Sequence, residues 1–213
     1  MAEQADVTRA SYNRVAREYA ARFDAELAHK PIERSLLDAF ATDTTGLICD
    51  LGCGPGHVAA YLHARGAEVV GVDLSDAMVE QARRLHPEIR FVRADMRALP
   101  FDDVSLGGII GFYSLIHINP DEMAATLLEL RRVVKPGGAL LAGFHVGEET
   151  RHLDTWWDQP VNLDFHFFTL DAMRAWLTAA GWELQDIMAR EPYPEIEVQT
   201  QRAYMLACAM RPD

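Results

Sequence analysis

The chain has 213 residues, 49% hydrophobic and 24% charged, which suits one domain with a sizeable buried core. A formal net charge of −12 argues against DNA or bulk RNA as a partner, since a phosphate-tracking protein presents a basic face. No apolar run approaches the roughly 18 residues of a membrane span, and no signal peptide is recognisable; the three cysteines, Cys49, Cys53 and Cys208, are sparse and read as reduced thiols in a cytoplasmic protein.

Residues 8–23 carry Tyr12, Val15, Ala16, Tyr19 and Phe23 at helical spacing, and a second helix after Pro31 carries Ile32, Leu36, Leu37 and Phe40. Strand and helix then alternate. Strands are expected at 47–51, 68–72, 89–92, 106–112 and 139–144. Between them lie a helix over 56–65, one capped by Ser75 and stopped by Pro87, and one opened by Asn119-Pro120-Asp121-Glu122. Such alternation argues a parallel sheet with helices on both faces. Residues 145–168 break the rhythm and are rich in His, Trp and Phe, as a lid or binding loop would be. Thr169 caps a last helix, closed at Gly181, and strands at 182–188 and 203–210 pair as an antiparallel hairpin.

The stretch Asp50-Leu51-Gly52-Cys53-Gly54-Pro55-Gly56 joins the first strand to its helix. Glycines there let the backbone turn tightly and lie close to a ligand. Asp73 ends the second strand, where a carboxylate can accept bonds from two ribose hydroxyls. A dinucleotide turn has Gly-x-Gly-x-x-Gly; here the third glycine comes one residue earlier, and Asp50 sets an acid where a pyrophosphate would lie. Asp73, Asp95 and Tyr113 fall with the turn on the carboxyl edge of the sheet, where open α/β sheets bind ligands.

The chain resembles the class I S-adenosylmethionine-dependent methyltransferases. The similar blocks are Asp50–Gly56, Val70–Ser75, Arg93–Met96 with Leu99–Phe101, Tyr113–His117 and Arg131–Gly138, in the family's order, and the resemblance spans roughly 8–210. It implies a Rossmann-like methyltransferase fold. The sheet would have seven mostly parallel strands ending in an antiparallel hairpin. The single domain 1–213 would divide into N-terminal cap helices (1–45), a cofactor-binding core (46–144), a substrate-side insertion (145–168) and a last helix with its hairpin (169–213).

The resemblance also implies that S-adenosyl-L-methionine is the cofactor and S-adenosyl-L-homocysteine the product. Gly52, Cys53, Gly54 and Gly56 would pack on the methionine part with Asp50 beneath. Asp73 would hold the ribose, Leu74 and Met78 would flank adenine, Asp95 would meet its amino group and the Met96 backbone a ring nitrogen. Tyr12 or Tyr19 would close over the cofactor, and Lys30 would reach its carboxylate.

Methyl transfer by in-line displacement to a small-molecule acceptor follows from that resemblance. His117, just past the fourth strand, and His145, past the fifth, are candidate bases, and Tyr113 is a candidate for orienting the acceptor. Trp156, Trp157 and His166 are candidate acceptor contacts. No histidine spacing argues for a metal. A monomer or homodimer is expected. The alternatives are a nicotinamide-dependent oxidoreductase, disfavoured by the short glycine spacing and the final hairpin, and a non-catalytic S-adenosylmethionine-binding module.

Overall fold

A computed structural model describes residues 2–210. Helix α1 (Ala2–Phe23), a 3₁₀ turn (Glu26–His29) and α2 (Pro31–Asp43) precede β1 (Ile48–Leu51). Then follow α3 (His57–His63), β2 (Val69–Asp73), α4 (Asp76–Leu85), β3 (Arg90–Arg93) and β4 (Leu106–Phe112). After a 3₁₀ turn (Leu115–His117) come α5 (Pro120–Val133), β5 (Val134–His145), β6 (Thr150–Trp156), β7 (Gln159–His166), α6 (Leu170–Ala179), β8 (Trp182–Arg190) and β9 (Arg202–Ala209).

Seven strands form one sheet in the order β3-β2-β1-β4-β5-β9-β8. The first five run parallel, while β9 is antiparallel to both β5 and β8. The expected seven-stranded sheet with a terminal antiparallel hairpin is borne out. The order reverses between β1 and β4, so a crevice opens past their carboxyl ends. Caps read from the sequence also form: Ser75 Oγ accepts from Met78 N at 3.1 Å, Asn119 Oδ1 from Asp121 N at 3.0 Å, and Thr169 Oγ1 from Ala172 N at 3.1 Å.

One face of the sheet buries Leu51, Ile109, Leu127, Phe144 and Trp182; the other buries Leu37, Phe40, Leu62, Ile110 and Tyr204. A third, smaller cluster lies apart from both, built on Val15, Val161 and Leu163. It joins α1 to the segment that was expected to be an irregular lid.

That segment is instead an antiparallel hairpin, β6–β7, in its own two-stranded sheet. Its loop is only Trp157-Asp158, with φ of 50° and 60°. Two consecutive left-handed residues match the twist of a hairpin, a task usually left to Asn-Gly. Trp157 tolerates the conformation because its ring is held, stacked on Trp156 at 4.7 Å between centroids with the Arg22 guanidinium 5.0 Å away. Asp158 is a common turn residue but Trp157 is not, so the sequence pattern reads as loop. In α2 Leu37 and Phe40 are buried as expected, with Glu33 beside them, while Ile32 and Leu36 are half-buried.

Candidate active site

A cavity of about 330 Å³ lies in the crevice, walled by the carboxyl ends of β1, β2, β4 and β5 and roofed by α1 and the β6–β7 hairpin. Its lining joins two chemistries. One end holds Asp50, Gly52, Gly54, Asp73, Leu74, Met78, Asp95 and Met96; the other holds Tyr113, His117, His145, Trp156, Phe165 and Arg202.

The glycine turn forms because its neighbours leave no alternative. At Gly52, φ is +68° and a Cβ would stand 2.3 Å from Ser114 Cβ. Gly54 differs: φ is +52°, but the nearest atom to a Cβ there is Tyr19 Cε1 at 3.8 Å. The space above Gly54 therefore belongs to the cavity, and a flat backbone faces it. Gly56 serves packing, its φ of +90° turning the chain into α3 beneath Phe91. Gly56 and Cys53 do not line the cavity, and the Cys53 thiol is buried. Their expected place on the cofactor is corrected to support beneath the turn.

Asp73 accepts from Gly54 N and Ser75 N, each at 2.8 Å. One backbone donor sits on each oxygen, leaving lone pairs for a diol. Burial pushes its carboxyl up to about 6 against those donors. Asp50 lies beneath the turn and accepts from Ala59 N at 3.0 Å; burial pushes it up to about 7. Asp95 lines the cavity but is committed to Arg97, taking its backbone N–H at 2.9 Å and its guanidinium at 2.7–3.2 Å. An adenine amino group would share an oxygen with that pair.

Tyr12 and Tyr19 reach the cavity from α1. The Tyr12 hydroxyl lies 2.6 Å from His117 Nε2, and His117 Nδ1 lies 2.9 Å from the Asp164 carbonyl. A carbonyl only accepts, so Nδ1 carries the proton and Nε2 accepts from Tyr12. Burial lowers His117 to about 4. With both nitrogens engaged, it clasps α1 and β7 to the end of β4. His145 makes one bond, Nδ1 to Thr200 Oγ1 at 2.8 Å, and its Nε2 makes none among the described residues. Burial, then Arg202 and Arg151, lower it to about 4.

Tyr113 ends β4 at φ 55°. Its hydroxyl is 2.6 Å from that of Tyr204, which donates to Glu33. Trp156 lines the cavity; Trp157 and His166 do not. Trp157 sits at the hairpin tip, and His166 Nδ1 is engaged with Thr150 Oγ1 at 2.8 Å. Their expected contact with an acceptor is corrected accordingly.

The sequence reading missed an ionic floor. Glu33, 1% exposed, is bound by Arg190 and Tyr204. Glu197, in the loop before β9, receives Arg190 at 2.8 Å, Lys30 and Arg202 at 3.2 Å each, and Tyr193 N at 2.8 Å. Lys30 is thus already paired with acids. One signal was available: Glu33 shares the helical spacing of Leu37 and Phe40, an acid within an apolar stripe. Groups of His, Cys, Asp or Glu that would hold a metal are absent among the described residues.

Residues 48–138 match the methyltransferase domain family. That match covers somewhat less than half of the chain. The demethylmenaquinone methyltransferase of Beutenbergia cavernae is 35% identical to it over 108 residues, 51% of this chain and 44% of that one. The malonyl-[acyl-carrier protein] O-methyltransferase of Erwinia billingiae is 34% identical over 128 residues, 60% and 50% of the two chains. The chain thus spans about half the length of these curated relatives. In fold it is similar to the 1,6-didemethyltoxoflavin-N1-methyltransferase of Burkholderia thailandensis, at a TM-score of 0.76 and 21% identity over 98% of this chain and 90% of that one. The resemblance drawn from the five sequence blocks is borne out.

Proposed function

We propose that this protein transfers a methyl group from S-adenosylmethionine to a small organic acceptor. The observation that carries the reading is the single cavity that runs from the glycine turn, Asp73 and Asp95 to the ends of β4 and β5. The lining fits the cofactor: a Cβ-free surface at Gly54, a carboxylate with spare lone pairs at Asp73, and apolar flanks at Leu74 and Met78. When bound, S-adenosylmethionine supplies an electrophilic methyl group on a sulfonium with a good leaving group.

The chain's own work is alignment and exclusion of water. Asp73 anchors the ribose, and Met96 and Asp95 border the adenine. Tyr12 and Tyr19 close the roof through the His117 clasp. Tyr113 and Trp156 border the acceptor. Where the acceptor has a proton to lose, His145 Nε2 is the group left to take it, since His117 has no free nitrogen. The aromatic walls favour an apolar or aromatic acceptor, and the relatives' names, which include demethylmenaquinone and 1,6-didemethyltoxoflavin, support a small organic one. Three free cysteines agree with a cytoplasmic place, and no described helix is long and apolar enough to cross a membrane.

The test is calorimetric titration with S-adenosylmethionine, S-adenosylhomocysteine and NADH, followed by transfer of tritiated methyl into the small-molecule fraction of a cell extract. Binding of both adenosyl ligands with label in a small product is expected. Preference for NADH would overturn the reading, and binding without transfer would favour a non-catalytic module.

A further inference from the structure

Arg202 opens β9 directly opposite His145 on β5, and both line the cavity with Tyr113. The His145 ring lies 5.1 Å from the Tyr113 ring, and the Arg202 guanidinium lies 5.8 Å from it. Arg202 is only 4% exposed. Its Nη1 donates to the carbonyls of Val198 and Thr200 at 3.0 and 2.7 Å. Its Nε lies 3.2 Å from Glu197 Oε1, without the alignment of a hydrogen bond. Its Nη2 makes no hydrogen bond among the described residues.

The ionic floor divides its acids unevenly. Lys30, Arg190 and Arg202 share Glu197. Arg190 also holds Glu33, and Lys30 also holds Glu26. Among the described residues Arg202 has only its share of Glu197, so its charge is the least neutralised of the three. Keeping a guanidinium out of water without a full counter-charge is expensive. The effect of that charge reaches His145, where Arg202 is second only to burial in lowering the imidazole to about 4. A planar guanidinium with an open N–H donor is suited to a carboxylate. Trp156 and Phe165 line the same cavity, so the remainder of a ligand held there meets aromatic rings.

We propose that the methyl acceptor is an organic carboxylic acid, its carboxylate received by Arg202 Nη2 and its apolar or aromatic body lying against Tyr113 and Trp156. The assignment rests on the S-adenosylmethionine reading above and narrows its acceptor from small organic molecules to anionic ones. Arg202 selects the acceptor by charge. Glu197 and the carbonyls of Val198 and Thr200 act as positioning groups: they occupy Nε and Nη1 and leave Nη2 as the donor for the ligand.

Benzoate and benzamide isolate the claim, since they share a ring and differ in charge. Each is titrated by NMR into the full chain saturated with S-adenosylhomocysteine. The wild-type complex should bind benzoate about tenfold more tightly than benzamide. Benzoate should also shift the guanidinium Nε–H signal that is missing from the spectrum of Arg202→Lys, and benzamide should leave that signal in place. Arg202→Met should bind the two probes alike and keep its affinity for S-adenosylhomocysteine, while Arg202→Lys should retain part of the preference for benzoate. Benzoate that binds no better than benzamide, or a preference that survives in Arg202→Met, overturns the assignment. Should Arg202→Met also lose S-adenosylhomocysteine, the signal in the wild-type protein decides: a shift with benzoate sustains the assignment, and an unmoved signal overturns it. Failure of the wild-type protein to bind S-adenosylhomocysteine would remove the cofactor reading itself, whereas binding it without preferring the acid removes this assignment alone.

Discussion

At Gly54 one methyl group would separate folding from ligand binding. A Cβ there meets no protein atom closer than 3.8 Å, while at Gly52 it would collide with Ser114. Gly54→Ala should therefore cost only the roughly 1–2 kcal/mol of a left-handed alanine, seen as a small drop in urea midpoint, yet weaken S-adenosylhomocysteine at least tenfold. A proportionate loss of both, or of neither, would remove the turn from the site. Asp73 sets a pH dependence at the same scale. Its carboxyl titrates near 6 when buried, and a ribose diol donates to the ionised form. Binding should release a proton, and affinity should fall by up to about tenfold per pH unit below about 6. Calorimetry in buffers of different ionisation enthalpy would read that proton directly. Gly52, Gly54 and Asp73 were legible because their chemistry is local to one turn. Glu33 was not, because its meaning comes from partners far along the chain, Arg190 and Tyr204.

At the scale of elements, α1 and the β6–β7 hairpin make one roof. Ser11, fully buried, accepts from Asn162 N at 2.9 Å. Ser11→Ala would remove that partly buried hydrogen bond, at about 0.5–1.5 kcal/mol. Chemical denaturation should show the loss, and a neutral result would mean that water or a shifted strand takes the place of the hydroxyl. The roof also marks where element reading from sequence stopped. Apolar runs set between helices carried the sheet strands, and caps carried α4, α5 and α6. In β7 Val161, Leu163 and Phe165 alternate with Asn162 and Asp164, a strand signal that the sequence reading passed over; β6 is mostly exposed, and Trp157 concealed the turn.

Across the whole molecule, buried acids under the crevice make stability depend on pH. Burial pushes the Asp50 carboxyl up to about 7 in the fold, against about 3.9 for a free aspartate. Between those values the folded protein keeps a proton that the unfolded chain has released. Its contribution is therefore favourable below about 4 and is lost as pH rises towards 7, by at most about 1.4 kcal/mol per pH unit. Asp50→Asn should remove this slope, so its melting temperature relative to wild type should climb between pH 5 and 8, by about 2–4 °C for each kcal/mol. A constant difference would show that Asp50 stays ionised. The same scale explains why fold class was readable and the roof's attachment was not: among the five parallel strands, strand is followed by helix three times (β1–α3, β2–α4 and β4–α5), whereas the attachment rests on single side chains. Asn13 Oδ1 accepts from Ser75 Oγ at 2.7 Å and Ala77 N at 3.1 Å, beside Asp73, while Ser11, two residues away, holds β7. A displacement of that one helical turn unlatches the ribose side and the hairpin simultaneously. Amide deuterium uptake in α1, β6 and β7 should consequently slow as a block when S-adenosylhomocysteine is added, and separate responses would mean that the door has two leaves.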